Sequence, residues 1–426
     1  MKLLRIGILA LLAFSVLAFG GVEDWARAVF ESGAAALFLF WAAAWSRRRA
    51  AGLFLSPLVP PLAALCALVF LQWIFHLSAS PFATRIELQL LLADAMFLFL
   101  ATQAFRTAGD WKAFFWFVMS FGFAVSLLGI LQHLTFNGKL YWFRELRFGG
   151  IPFGPYVNRN HFAGFAELVI PVALVPLVLG KIRRERRLLV AVFVVVQIGA
   201  LLLSASRGGI VSLSCQAALL LIWLIAKRVR TLQLLLGAGI AALALGLVYW
   251  LGAGQILQRF SAMQSLEITA GKRASMRRDT FRIFLDHPVV GTGLGTLQIV
   301  FPRYETNYDG RVVNHAHNDY LEALAETGFL GAVCCAWFLF ALLKGYLRRS
   351  RDSASASFPA ALNFAGILSC AGFLIHSLVD FNLHIPANAA LFFLMANLAT
   401  AEILPHAPSA PAAAPHRAQL VPARIP

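Results

Sequence analysis

Apolar runs close to twenty residues long recur along this chain from one end to the other. A helix of ~20 such residues spans the hydrocarbon core of a bilayer. In lipid, every backbone N–H and C=O must be satisfied within the segment, so runs of this kind fold as helices. About twelve can be marked, near residues 6–22, 28–45, 52–77, 86–105, 113–134, 162–180, 188–205, 209–226, 231–252, 320–343, 358–379 and 386–404. Composition agrees: 60% of residues are hydrophobic and 13% are charged, against about 25% charged in a soluble domain. A soluble enzyme and a disordered chain are both excluded.

The expected fold class is therefore an all-α polytopic membrane protein with about 12 transmembrane helices. Residues 1–404 should form a single transmembrane helical bundle, and 405–426, rich in Pro and Ala, a flexible cytoplasmic tail. Pro57, Pro60 and Pro61 should kink the third span. The first run ends Leu17-Ala18-Phe19-Gly20-Gly21, a poor cleavage site, so it is expected to remain as a span. The five cysteines all lie inside apolar runs and none is in a C-x-x-C pair, which disfavours disulfides and a zinc site.

Basic residues set the orientation. They cluster in alternate connections, at Arg47–Arg49, Lys181–Arg187, Lys227–Arg230 and Lys344–Arg351, while the opposite short connections hold only Arg27, Arg85 and Arg207. By the positive-inside rule, both termini face the cytoplasm. Two long connections then lie outside, about 135–161 and a large loop about 253–319 between the ninth and tenth spans. Both carry an excess of Lys and Arg. The total charge of +16 is spread between apolar runs instead of forming one patch, so nucleic acid is not the expected partner. Two readings of the basic loops stand: contact with anionic membrane lipid, or a site for a phosphorylated or acidic substrate, since Arg forks match phosphate oxygens.

Several polar groups should meet on that outer side. His315-Ala-His317-Asn318-Asp319-Tyr320-Leu321-Glu322 enters the tenth span, followed by Gly328 and Gly331. Asp319 and Glu322 have the spacing of a capping box, and the glycines would allow close helix packing. The cap leaves His317 unexplained, and a histidine at the helix mouth can serve as a general base. The alternative is a metal held by His315 and His317, although no third ligand is evident. Upstream, Arg273 and Arg277 share a helix face next to Arg278, and Asp286-His287-Pro288 leads into Gly291-x-Gly293-x-Gly295, read as a tight turn. Arg207 sits in the short turn Ser204-Ala-Ser206-Arg207-Gly208-Gly209. Arg159, Asn160 and His161 precede the sixth span, where Asn160 has the chemistry of a helix cap. His376 and Asp380, four apart, should share a face and could hydrogen-bond at the end of the eleventh span.

Taken with their order and spacing, these residues resemble the O-antigen ligase / O-antigen polymerase family of bacterial envelope proteins. The resemblance runs over about 150–400 and rests on His317-Asn-Asp-Tyr-Leu-Glu-x-Leu-Ala-Glu-Thr-Gly-x-Leu-Gly, on Ser206-Arg207-Gly208, and on Arg273 with the downstream Asp-His-Pro-x-x-Gly-x-Gly-x-Gly. The Asn158–Gly164 and His376–Pro386 segments resemble a subgroup. A family Trp is replaced here by Arg277, which leaves open whether Arg273 alone or also Arg278 meets substrate. The resemblance implies a metal-independent glycosyltransferase in the bacterial inner membrane with a periplasmic site and no cofactor. The donor would be a glycan linked to undecaprenyl diphosphate, and the acceptor lipid A–core or a growing glycan. It implies His317, Arg207 and Arg273 as catalytic residues. Arg278, Arg277, Asn160, His161, Arg159, His376 and Asp380 remain as substrate-binding candidates. The competing classes are a transporter or permease for an anionic or lipid-linked substrate, whose ionisable groups belong at the midplane, and a non-catalytic scaffold.

Overall fold

The computed structural model describes residues 1–47, 52–146, 151–251, 270–352 and 357–404. Within them the chain is helical, with only three isolated bridges between extended residues. The helices are α1 (Lys2–Leu17), α2 (Asp24–Ser46), α3 (Val59–Ile74), α4 (Pro81–Ala104), α5 (Ala108–Leu134), α6 (Arg159–Val178), α7 (Arg184–Ser204), α8 (Arg207–Ala226), α9 (Thr231–Trp250), α10 (Ala270–Asp286), α11 (Leu297–Val300), α12 (Asp319–Asp352), α13 (Phe358–His376) and α14 (Pro386–Thr400). Nine of these described helices are long and apolar enough to cross a membrane, and α3 and α14 are shorter apolar helices. Each of the twelve apolar segments corresponds to one helix, while α10 and α11 lie in the long connection after α9. The part of that connection at 253–269 and the tail at 405–426 lie outside the described residues.

Helix α6 is buried along almost its whole length and packs against α5, α7 and α13. Helix α13 in turn meets α8 and α14, and α14 reaches α4 and α1. Where lipid and helix are equally apolar, polar side chains and small residues supply the specific contacts between helices. Gln216 donates to the carbonyls of Glu167 and Leu368, Ser369 to that of Leu168, and Asn363 to that of Leu398. These bonds tie α8, α6, α13 and α14 into one bundle.

Some local expectations give way to chemistry a few residues distant. The prolines do not kink the third span. Pro60 and Pro61 sit in the first turn of α3, where their missing N–H groups cost nothing. Asn158 caps α6 instead of Asn160, accepting from the Asn160 N–H at 2.9 Å. Asn318 caps α12, accepting from Leu321 at 3.0 Å. This displaces the expected capping box by one residue and frees Asp319 and Glu322 for other partners. The five cysteines are free thiols.

The two ends of the bundle differ. At one end, Arg5 pairs with Asp110, Arg349 with Glu402, and Thr107 bridges to Leu404. The other end gathers the starts of α6, α8, α12 and α14 and the end of α13.

Candidate functional site

The turn that starts α8 is built tightly. Ala205 adopts left-handed backbone and Ser206 caps the helix through the Gly209 N–H at 3.2 Å. Arg207 is thereby the first residue of α8, with its side chain exposed. A Cβ on Gly208 would lie 2.5 Å from Nε2 of His376, so only glycine lets this turn close onto α13. Arg207 and His376, far apart in sequence, become neighbours through that contact.

His376 is buried and its Nδ1 lies 2.9 Å from Oε1 of Glu167, a carboxylate set in the apolar body of α6. Its Nε2 is 4.0 Å from Oδ2 of Asp380, too long for the hydrogen bond expected from their spacing. Helix α13 ends at His376, so Asp380 is beyond the helix and can turn toward the segment before α12. There its Oδ1 lies 3.4 Å from Nδ1 of His317. Burial alone would raise the Asp380 carboxyl, but His317 and the nearby His161 and His376 hold it well below the ordinary carboxylate range. His317 itself has left-handed backbone, φ 48°, an uncommon state for a side-chain-bearing residue, held by its surroundings.

Phe381 organises the histidines. His315 stacks on its ring at 4.2 Å, while His317 and His161 meet it edge-on at 5.0 and 4.9 Å. Arg159 is buried at the first position of α6, and Asn160 beside it is half-buried. The structure therefore brings together His317, Asp380, His376 and His161, with Arg207, Arg159 and Asn160 on adjoining positions.

Sequence reasoning did not single out a second network beside this one. His384 donates from Nδ1 to Asp319 at 3.0 Å and from Nε2 toward Glu322 at 3.3 Å. Glu322 also meets His315 Nδ1 at 2.7 Å and accepts from the Ala316 N–H at 2.8 Å. Burial disfavours the His384 cation, yet Glu322 and Asp319 outweigh it and push its pKa up to about 10. His315 and His317 thus take different partners, which argues against a metal held by that pair. A group that could hold a metal is His315, Glu322 and His384, whose ligand atoms lie within 4.8 Å of one another. All three already have hydrogen-bond or ion-pair partners within the network.

The arginine helix α10 joins this end through apolar packing. Met276 and Ile283 share a cluster with Ala316, Ala325 and Phe301. Asp279, fully buried, accepts from the Thr306 N–H and hydroxyl. Lys272 pairs with Glu305 at 2.6 Å. Arg278 donates to Thr306 at 2.8 Å and so turns toward the 304–309 segment. Arg273 and Arg277 lie one position on from Lys272 and Met276 and are half-buried at the edge of that contact. The Nε of Arg273 is buried with no hydrogen-bond partner among the described residues.

The glycine-rich turn is explained by fold alone. Gly291, Gly293 and Gly295 all have positive φ. Thr292 and Gly293 donate to Ala325 and Glu326 of α12, and Phe329 and Leu330 donate back to Pro288 and Val289. Helix α12 is broken at Gly328 (φ 62°, ψ −163°) to receive the turn. The Glu326 carboxylate accepts from the Gly295 and Leu297 N–H groups, and Gln72 of α3 bridges Val290, Leu294 and Glu326. This interlock fixes the start of α12, and with it the register of His317.

A family model described as O-Antigen ligase matches residues 192–336. The match takes in Arg207, Arg273, Arg277, Arg278 and His317, and ends before His376 and Asp380. No curated protein matches the chain. Residues 192–336, from α7 into α12, are thus similar to the O-antigen ligase family, in a chain whose described residues include nine helices long and apolar enough to cross a membrane.

Proposed function

We propose that this protein is a membrane glycosyltransferase of the O-antigen ligase or polymerase type. It moves a glycan from undecaprenyl diphosphate to a sugar hydroxyl, on lipid A–core or on a growing glycan, at the periplasmic face of the inner membrane. The observation that carries the reading is the His317–Asp380 contact within a histidine cluster. A proton on Nδ1 satisfies Asp380 and leaves the Nε2 lone pair free to act as base, the same division of labour as in a carboxylate–histidine dyad.

In the proposed step, Nε2 of His317 takes the proton of the acceptor hydroxyl. The oxygen forms the new bond to the anomeric carbon of the donor. The bond from that carbon to the diphosphate oxygen breaks, and undecaprenyl diphosphate departs with the electron pair. Arg207 and Arg273 stabilise the charge developing on the diphosphate, a task suited to planar guanidinium forks. Arg277, Arg278, Arg159, Asn160 and His161 line the approach. No metal is required in this scheme.

The test is reconstitution of the full chain with a radiolabelled lipid-diphosphate glycan and an acceptor. Product carrying the label in glycosidic linkage to the acceptor supports the reading. Label that crosses the bilayer still attached to its lipid would instead indicate a transporter. A deletion strain separates the two enzymes: loss of all surface glycan from lipid A indicates ligase, and decoration with a single repeat indicates polymerase.

A further inference from the structure

Glu167 is a fully buried carboxylate in an apolar helix, and the proposed chemistry does not touch it. Burying such a group is costly unless it is paired. Its pairing is specific: Oε1 meets Nδ1 of His376 at 2.9 Å, the other imidazole nitrogen lies 4.0 Å from Asp380 Oδ2, and Asp380 Oδ1 lies 3.4 Å from His317 Nδ1. Four groups from α6, α13, the turn after α13 and the segment before α12 thus form one row, running from the bundle interior to His317. The second oxygens of Glu167 and Asp380 have no hydrogen-bond partner among the described residues. A bridge serving stability alone would be expected to satisfy both oxygens, because each unpaired buried acceptor is destabilising. The row also passes beneath the Arg207 turn. Cβ atoms on Gly208 and Gly209 would lie 2.5 Å from His376 and 3.3 Å from Glu167 Oε1.

We propose that Glu167, acting through His376, is a positioning residue that holds Asp380 ionised and aimed at His317. This rests on the reading of His317 as base. His376 links the two carboxyl groups, with Nδ1 hydrogen-bonded to Glu167 and Nε2 facing Asp380 at 4.0 Å. When His317 accepts the acceptor's proton, its new positive charge faces the Asp380 carboxylate. The other titratable groups facing the row are His161 of α6, Asp319 at the start of α12, and His315 beside Phe381.

The experiment uses the full chain in nanodiscs with the lipid-diphosphate donor, comparing wild type, Glu167→Gln, His376→Gln and the double variant. Glu167→Gln should lower kcat by ~10-fold, the scale of coupling between members of one network, with KM for donor unchanged. Removing a negative charge makes protonated His317 less stable, so the acid limb of the kcat/KM profile should move to lower pH. The double variant should lose little more than either single one. If Glu167→Gln does not yield folded protein, Glu167→Asp keeps the charge, and it should retain the wild-type pH limb with a smaller loss of kcat. Wild-type kcat with an unmoved limb in Glu167→Gln, log losses that add in the double variant, or a displaced limb in Glu167→Asp would overturn the inference. Failure here with an inactive His317→Ala leaves the base reading standing. Full activity of His317→Ala removes the base reading itself.

Discussion

His384 sits between Asp319 and Glu322, and its raised pKa makes it a staple with a pH window. Its folded value, about 10, exceeds its ordinary 6.5. The stabilisation is therefore fully present below pH 6.5 and is lost as pH rises through about 10. Thermal unfolding in detergent should show Tm declining across that window in wild type and a flatter profile in His384→Gln. Equal slopes would remove the staple. The arginines separate in the same way by their partners. Arg278 is engaged by Thr306, whereas the Nε of Arg273 is buried with no hydrogen-bond partner among the described residues. Arg273→Ala should abolish transfer, and Arg273→Lys should restore little, because a point charge does not reproduce a bidentate fork. Arg278→Ala should lose much less. Equal transfer rates in Arg273→Ala and wild type would reduce Arg273 to a surface charge. The sequence made His317 and the arginines visible because ionisable groups beside apolar runs are conspicuous. It gave Asp319 and Glu322 only the role of a helix cap and left Glu167 and His384 without one, because partners such as His376 for Glu167, 209 residues away, or His384 for Asp319 lie beyond the reach of local spacing.

At the scale of elements, the decisive device is the break in α12. Residue 328 has φ 62° and ψ −163°, and a Cβ there would lie 2.4 Å from the Val289 carbonyl oxygen. Gly328→Ala should cost about 1–3 kcal/mol from backbone strain alone, and more from the collision. Thermal unfolding should show the loss, and transfer should fall with it, because the interlock sets the register of His317. Unchanged Tm and activity would mean that the turn docks independently of α12. The glycine pattern was readable as a turn and as close packing, but not as the two halves of one joint. Periodicity reports which face of a helix is apolar and is silent on which loop will lie across it. Helix order was legible for the opposite reason, since each span's length and apolarity are local properties. Cap positions at Asn158 and Asn318 fell two residues before and one before the expected ones, because several hydrogen-bonding side chains compete for each helix start.

For the whole molecule, transfer as proposed needs the end bearing His317, Arg207 and Arg273 to face the periplasm and the end joining Arg5 to Asp110 to face the cytoplasm. Topology reporters should read periplasmic after Asp309 and cytoplasmic after Arg184. A cytoplasmic signal at Asp309 would put every proposed catalytic group in the wrong compartment. The central claim is narrower and is tested most directly by one comparison. In a purified, reconstituted system with saturating lipid-diphosphate glycan, His317→Ala should transfer glycan at least ~10²-fold more slowly than wild type, the scale of a lost general base, while donor binding survives because the arginines remain. A His317→Ala protein that transfers glycan at the wild-type rate would contradict the account.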